Sequence, residues 1–298
     1  MPGRILVGLS GWTYAPWRGT FYPEGLPRAR ELAYAAERFG AIEINGTFYG
    51  LQRPDAFTRW RVETPDDFVF AVKGSRYITH MLKLKDAATP LANFLASGLL
   101  RLGPKLGPIL WQFPPRMKFD PGRFERFFRL LPRDTDQAAA MARRHDHRLD
   151  GRSALKSDVE SSVRHAVEIR HDSFCTPEFI ELLRHYGIGL VVADTVEWPL
   201  LMDVTADFLY CRLHGSEELY VSGYDENALN AWATRVRAWS AGREPGDVRR
   251  VAKRADPAPD GRDVYVFFDN DAKVRAPADA AALANRLGVR PRAVDPAA

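Results

Sequence analysis

A chain of 298 residues, 46% apolar and 27% charged, can bury a large core and is too balanced in composition to be disordered throughout. No apolar run approaches the roughly 20 residues that span a bilayer. The opening MPGRILVGLSGW has no long hydrophobic leader, so an unprocessed cytoplasmic protein is expected; the net charge of +4 suits an anionic partner but decides little.

Strand-length apolar runs recur along the chain, with helical patterns between several of them. RILVGL (4–9) is followed by RARELAYAAERF (28–39), apolar at helical spacing and stopped by Gly40. AIEIN (41–45) leads to PDAFTRW, FVFAVK (68–73) to ATPLANFLASGLL, and PILWQF (108–113) to GRFERFFRLL. HAVEIR (165–170) precedes TPEFIELLRHY, with Thr176 as N-cap and Pro177 at the first helical position. GLVVAD (189–194), FLYCRLH (208–214) and DVYVFF (263–268) complete the strands, and DENALNAWATRVRAW, capped by Asp225, precedes the last.

Eight such strands alternating with helices imply a parallel sheet covered on both faces, and eight is the number that closes a TIM-like (β/α)8 barrel. An open doubly wound sheet is second choice, because GxGxxG is missing after the first strand. We expect one somewhat irregular barrel domain over 1–298, with two flexible polar insertions at 133–164 and 241–262. Cys175 and Cys211 have no metal-binding or CxxC spacing and read as reduced, half-buried thiols. His165 and His185 read as structural or solvated, and His145 and His147 as surface residues of the first insertion.

Side chains alternate along a strand, so Glu168 and Arg170 share one face while Val167 and Ile169 share the other. Glu43 and Asn45 stand in the same relation to Ile42 and Ile44, and Arg212 and His214 to Leu209, Cys211 and Leu213. Lys73, Gln112 and Asp194 end their strands, Asn270 follows the eighth, and His171 sits just past the fifth. Unpaired buried charge costs several kcal/mol, so these groups must pair, bind something or stay wet. In barrel enzymes the C-terminal rim carries the active site, which is where a barrel would gather them.

GLSGWTYAPWRGTFYP (8–23), IEINGTFYGL (42–51), FVFAVKGSRYITH (68–80), EIRHDSF (168–174), LYCRLHG (209–215) with Tyr220 and Tyr224 beyond it, and YVFFDND (265–271) occur in an order that resembles the YecE-like family, domain of unknown function 72. The resemblance covers most of the chain outside the insertions and implies a TIM-like barrel without an assigned activity. Leu9 and Phe174 depart from the Thr and Trp common at those places. The same blocks place Trp12, Tyr14, Trp17, Phe48 and Tyr49 in loops after the first two strands, and Arg76 and His80 beyond Lys73. Those aromatics either line the pocket or roof the barrel as core.

Lys73, Arg76, Arg170 and Arg212 on one rim suit a phosphate or carboxylate, with Arg170 and Arg212 as the anion clamp. Glu168 is the expected general base or acid with His214 as its partner; Asp194 and His171 are further catalytic candidates. Glu43, Asn45, Lys73, Arg76, His80, Gln112, Tyr224, Asn270, Trp12 and Tyr14 are candidates for substrate binding. No cofactor is expected, and no metal ligand is assigned, because local ligand motifs are absent and the nearby cations would repel a dication. The leading functional reading is an enzyme acting on a small anionic, possibly sugar-like substrate by acid–base chemistry. A nucleic-acid-binding or -processing barrel and a non-catalytic binding barrel stand as alternatives; no membrane partner is expected and nothing assigns an oligomeric state.

Overall fold

The computed structural model describes residues 1–215, 219–220, 222–270 and 274–289. Its strands are short and buried on both faces, the condition under which a parallel sheet closes instead of presenting edges. In chain order the framework is β1 (Ile5–Ser10), α1 (Glu31–Arg38), β2 (Ala41–Ile44), the single turn α2 (Gly46–Tyr49), α3 (Pro54–Val62), β3 (Val69–Lys73), α4 (Ala88–Ala96) and β4 (Leu106–Gln112). Then follow α5 (Pro121–Leu130), α6 (Thr135–Ala142), β5 (His165–Glu168), α7 (Pro177–Tyr186), β6 (Gly189–Asp194), β7 (Phe208–Leu213), α8 (Glu226–Ser240), β8 (Asp263–Phe268) and α9 (Arg275–Leu287). Each strand pairs in parallel with the next and β8 pairs with β1, closing an eight-stranded barrel. The expected TIM-like architecture is the observed one. No described helix is long and apolar enough to cross a membrane.

Helix boundaries follow local chemistry. Thr176 accepts from the Phe179 N–H ahead of Pro177, and Asp225 accepts from the Ala228 N–H, so both expected caps form. Leu6, Ala41, Val69, Ala71, Leu110, Ala166, Val191, Phe208 and Tyr265 fill the barrel interior, while the opposite parity packs against the helices. At the N-terminal mouth, Arg164 donates to Asp263, Asp207 and the Tyr265 hydroxyl, closing that end with charge. His165 is buried beside it; Trp111 Nε1 donates to its Nδ1, and its Nε2 lies 2.7 Å from the Pro132 carbonyl, which fixes the tautomer.

The two insertions are better tied than their composition suggests. Residues 133–164 contain α6, whose Ala138 and Ala142 are buried against α4, and Leu149 and Ala154 are buried further on. Residues 241–262 carry no helix or strand but are anchored: Asp203 accepts from the Val251 and Ala252 N–H groups, and buried Arg262 donates to the Gly242 and Asp256 carbonyls. Both precede a strand, so they join the barrel at the end opposite the rim.

Gly8 lies on the inward face of β1, paired with Ala41 of β2. A Cβ there would lie 1.9 Å from the Ala41 carbonyl oxygen. We expect Gly8→Ala to destabilise the protein by about 1–3 kcal/mol in urea unfolding, the usual cost of overpacking a core.

Candidate active site at the C-terminal rim

Period two along β7 points Tyr210, Arg212 and His214 into the barrel, and Arg212 becomes the centre of the upper layer. Its side chain is fully buried. Nε donates to Glu43 Oε2 at 3.0 Å and Nη2 to Glu43 Oε1 at 2.9 Å, a bidentate pair across the barrel to β2. Nη1 donates to Glu168 Oε2 on β5 at 2.6 Å, and Nη2 also reaches Asp269 Oδ2, just past β8, at 2.7 Å and Ser10 Oγ on β1 at 3.0 Å. Glu43 is completed by the Ser10 hydroxyl at 2.5 Å and the Tyr210 hydroxyl at 2.6 Å. Gln112 donates to Glu168 Oε1 at 2.8 Å and Arg170 Nε does the same. Burial alone would raise the Glu168 carboxyl, but Arg212 and then Arg170 overcome it and hold it well below the usual range.

Above this layer the groups are only partly engaged. Asp269 gives Oδ2 to Arg212 and lies 3.1 Å from His214 Nδ1 through the same oxygen, while Oδ1 has no hydrogen bond to any described residue. Burial opposes its ionisation, yet Arg212 and His214 bring its pKa down to about 2. His214 Nε2 lies 3.5 Å from Arg212 Nη1 and 3.8 Å from Glu168 Oε2. Lys73 is nine-tenths buried, its Nζ lies 4.7 Å from the Phe48 ring centroid, and that amine makes no hydrogen bond or ion pair with any described residue. Burial, then the Arg212 charge, lowers its pKa, while Glu43, Asp269 and Glu168 oppose the shift.

Arg170 stacks on Trp198 at 4.0 Å and reaches the Tyr220 hydroxyl at 3.4 Å. His80 is pushed down to about 4, by burial first and then by Arg170, Lys73 and Arg76, which places those three cations around it. Arg76 lies over the exposed Tyr49 ring. Asn45 donates to Ser10 Oγ, and its Oδ1, like Trp198 Nε1, is buried without a partner among the described residues.

The strand ends therefore bring together Glu43, Asn45, Lys73, Gln112, Glu168, Arg170, Arg212 and His214, with Arg76 and His80 flanking. Other candidates lie elsewhere. Inward positions on β6 are Val191 and Ala193, so Asp194 faces the helices, where it accepts from Trp232 Nε1 at 3.0 Å and from the Tyr224 hydroxyl. Tyr224 also accepts from the Gly215 N–H, which takes it out of the rim as well. Asn270 ties β8 to α9 through Asp279 and to the Ser222 carbonyl. His171 caps a single turn through Ser173.

Tyr14 donates to the Ser10 carbonyl, Trp12 packs edge-on against Trp60, and both line a shallow cavity of about 260 Å³ with Asn45. Trp17 is core. Asp269, Ser10 and Tyr210 were not among the expected site residues. Parity would have found all three: Asp269 shares a face with Tyr265 and Phe267, and Tyr210 with Arg212.

The roles shift with the geometry. Arg212 has its donors engaged by the protein and is not an anion clamp. Glu168 has both oxygens engaged by Arg212, Arg170 and Gln112 and is fixed as a counter-ion. Among the described residues no three His, Cys, Asp or Glu side chains form a metal-binding group.

Residues 6–298 match the family model described as protein of unknown function DUF72. The chain belongs to the DUF72 family. Among similar proteins is the UPF0759 protein YecE of Escherichia coli K12, 31% identical over 110 residues, which are 37% of this chain and 38% of that protein. The UPF0759 protein YunF of Bacillus subtilis is 27% identical over 116 residues, covering 37% and 40%. The matched stretches thus span well under half of either relative. A DUF72 family protein from Thermotoga maritima superposes with a TM-score of 0.69 at 25% identity, covering 96% of this chain and 99% of that one. A second DUF72 protein, from Enterococcus faecalis, shares the fold with a TM-score of 0.63 at 17% identity, covering 96% and 98%.

In this DUF72 chain, Arg212→Met would leave Glu43 and Asp269 without their guanidinium and Glu168 with Arg170 alone. We expect a loss of about 3–5 kcal/mol in urea unfolding at pH 7. The pH dependence should invert. In the natural protein the lowered Glu168 and Asp269 carboxyls contribute stability that is full above their unfolded pKa near 4 and fades as the pH falls, through about 2 for Asp269 and only well below the usual carboxylate range for Glu168. In the variant the carboxyls rise, so its deficit should shrink between pH 7 and pH 5.

Proposed function

We propose that the rim is the active site of an enzyme that binds a small anionic substrate and acts on it by acid–base chemistry. The observation that carries this reading is a pair of groups over a saturated layer that no described residue engages: the Lys73 amine and Asp269 Oδ1. A network built only for stability would engage both with each other or with neighbours, since each costs free energy when desolvated alone. Arg170, Arg76 and His80 form a basic flank for a carboxylate or phosphate, and Asp269, whose Oδ1 no described residue engages, is the carboxylate placed to move a proton. Glu43, Glu168 and Arg212 position these groups, and His214 holds Asp269 in place.

The small-ligand reading is favoured over the nucleic-acid one by the insertions, whose arginines attach to the barrel at the opposite end. The two free cysteines, Cys211 buried and Cys175 half-buried, suit a cytoplasmic enzyme.

Thermal-shift measurements with lactate, 3-phosphoglycerate and inorganic phosphate test the anion site. At least one should raise the Tm, and Arg170→Ala should remove most of that shift; no shift from any anion, or an unchanged shift in the variant, rejects the proposal. His80 supplies an independent readout. By NMR its imidazole should titrate near pH 4 in the free protein and move upward toward its ordinary value near 6.5 when an anion offsets the neighbouring cations. Because the folded pKa is depressed, the stability linked to His80 is present above about pH 6.5 and lost as the pH falls toward 4.

A further inference from the structure

We propose that Lys73 is an imine-forming nucleophile and that the substrate is a small carboxylated or phosphorylated aldehyde or ketone. This rests on reading the rim as an anionic-substrate site and names the reacting group of that substrate.

A lysine whose task is to hold an anion is served by hydration or by a partner that keeps it charged. Lys73 has neither. It leaves the end of β3 on the inward face, Phe48 covers one side of the amine, and no described acceptor lies within hydrogen-bonding or ion-pairing distance. The carboxylates that would neutralise it are turned to guanidinium groups: Glu43 to Arg212, and Glu168 to Arg212 and Arg170. That leaves an amine that sheds its proton more readily than a surface lysine, which is the condition for attack on a carbonyl carbon. The surroundings also tolerate the product, because a protonated imine is a cation and would sit near Glu43, Glu168, Asp269 and the Phe48 face.

The step balances with groups already present. Lys73 Nζ first gives one proton to Asp269 Oδ1; the neutral amine attacks the carbonyl carbon and forms a C–N bond, and Asp269 hands that proton to the carbonyl oxygen, which becomes a hydroxyl. Asp269 Oδ1 takes a proton from the nitrogen of this carbinolamine and passes it to the hydroxyl. Water leaves as the nitrogen lone pair forms the C=N bond. From ammonium and carbonyl to protonated imine and water, no proton or electron is gained or lost overall. The substrate's own carboxylate or phosphate is held by Arg170 and the Arg76–His80 flank, which fixes the carbonyl over the amine.

The test uses the full chain with two carbonyl probes, pyruvate and glyceraldehyde 3-phosphate, each reduced in place with sodium borohydride and followed by intact-protein and peptide mass spectrometry. One reduced adduct per chain is expected, on the peptide carrying Lys73. Lys73→Arg, which keeps the charge and so the packing, should lose it, whereas Arg170→Ala should weaken it at least tenfold at limiting probe. Lactate, an anion without a carbonyl, is the control for the underlying site. If lactate or either probe stabilises the protein through Arg170 but no adduct forms on Lys73, the imine is wrong and the anion site stands. If nothing stabilises it and no adduct forms, both fall. Labelling shared among surface lysines and unchanged in Lys73→Arg also overturns the assignment.

Discussion

The rim is organised by one guanidinium in contact with three carboxylates. Arg212 is carried fully buried on β7, and its planar fork is matched by Glu43 from β2, Glu168 from β5 and Asp269 from the end of β8. Neither side could be buried alone, since an isolated ion of either sign would cost several kcal/mol in this interior. Together they form a layer in which nearly every donor and acceptor is engaged, completed by Ser10, Tyr210 and Gln112. Which groups remain available above the layer follows from that saturation. Glu43 and Glu168 are fixed as counter-ions, whereas Lys73 and one oxygen of Asp269 are left toward the rim.

Charge balance explains why Lys73 is poised. Three carboxylates face Arg212 and Arg170, so the layer has room for one more positive charge, and Glu43, Asp269 and Glu168 all favour the ammonium. Desolvation and the nearby Arg212 act against it and prevail. The amine thus gives up its proton more readily than a surface lysine does, a condition suited to a group that must change protonation during a reaction. On the other flank, His80 is kept neutral by burial first and then by the same cations that would receive an anion.

Much of this was readable before folding, because strands expose a period of two. Glu43, Glu168 with Arg170, and Arg212 with His214 were separated correctly from their apolar neighbours by alternation alone. The misplacements came from counting position at a strand end instead of parity: Asp194 ends β6 and Asn270 follows β8, but each lies on the helix-facing side, while Asp269 one residue earlier turns inward. Local polarity also hid α6. Its AAAMA core is too short and too weakly periodic to stand out, and it is helical because Asp134 caps it and α4 covers its alanines.

The sequence alone determined the eight strands, their covering helices and the set of ionisable groups near the strand ends, because burial on two faces and side-chain alternation are written in the order of residues. The family blocks carried the same architecture. Only the tertiary structure decided the roles within that set. Which carboxylate meets which guanidinium depends on barrel closure and register, and these bring β2, β5, β7 and β8 to a common point although their residues are up to 226 positions apart, from Glu43 to Asp269. Whether a charged side chain works on a ligand or neutralises a neighbour depends on what faces it across the barrel. Neither composition nor spacing encodes that distance.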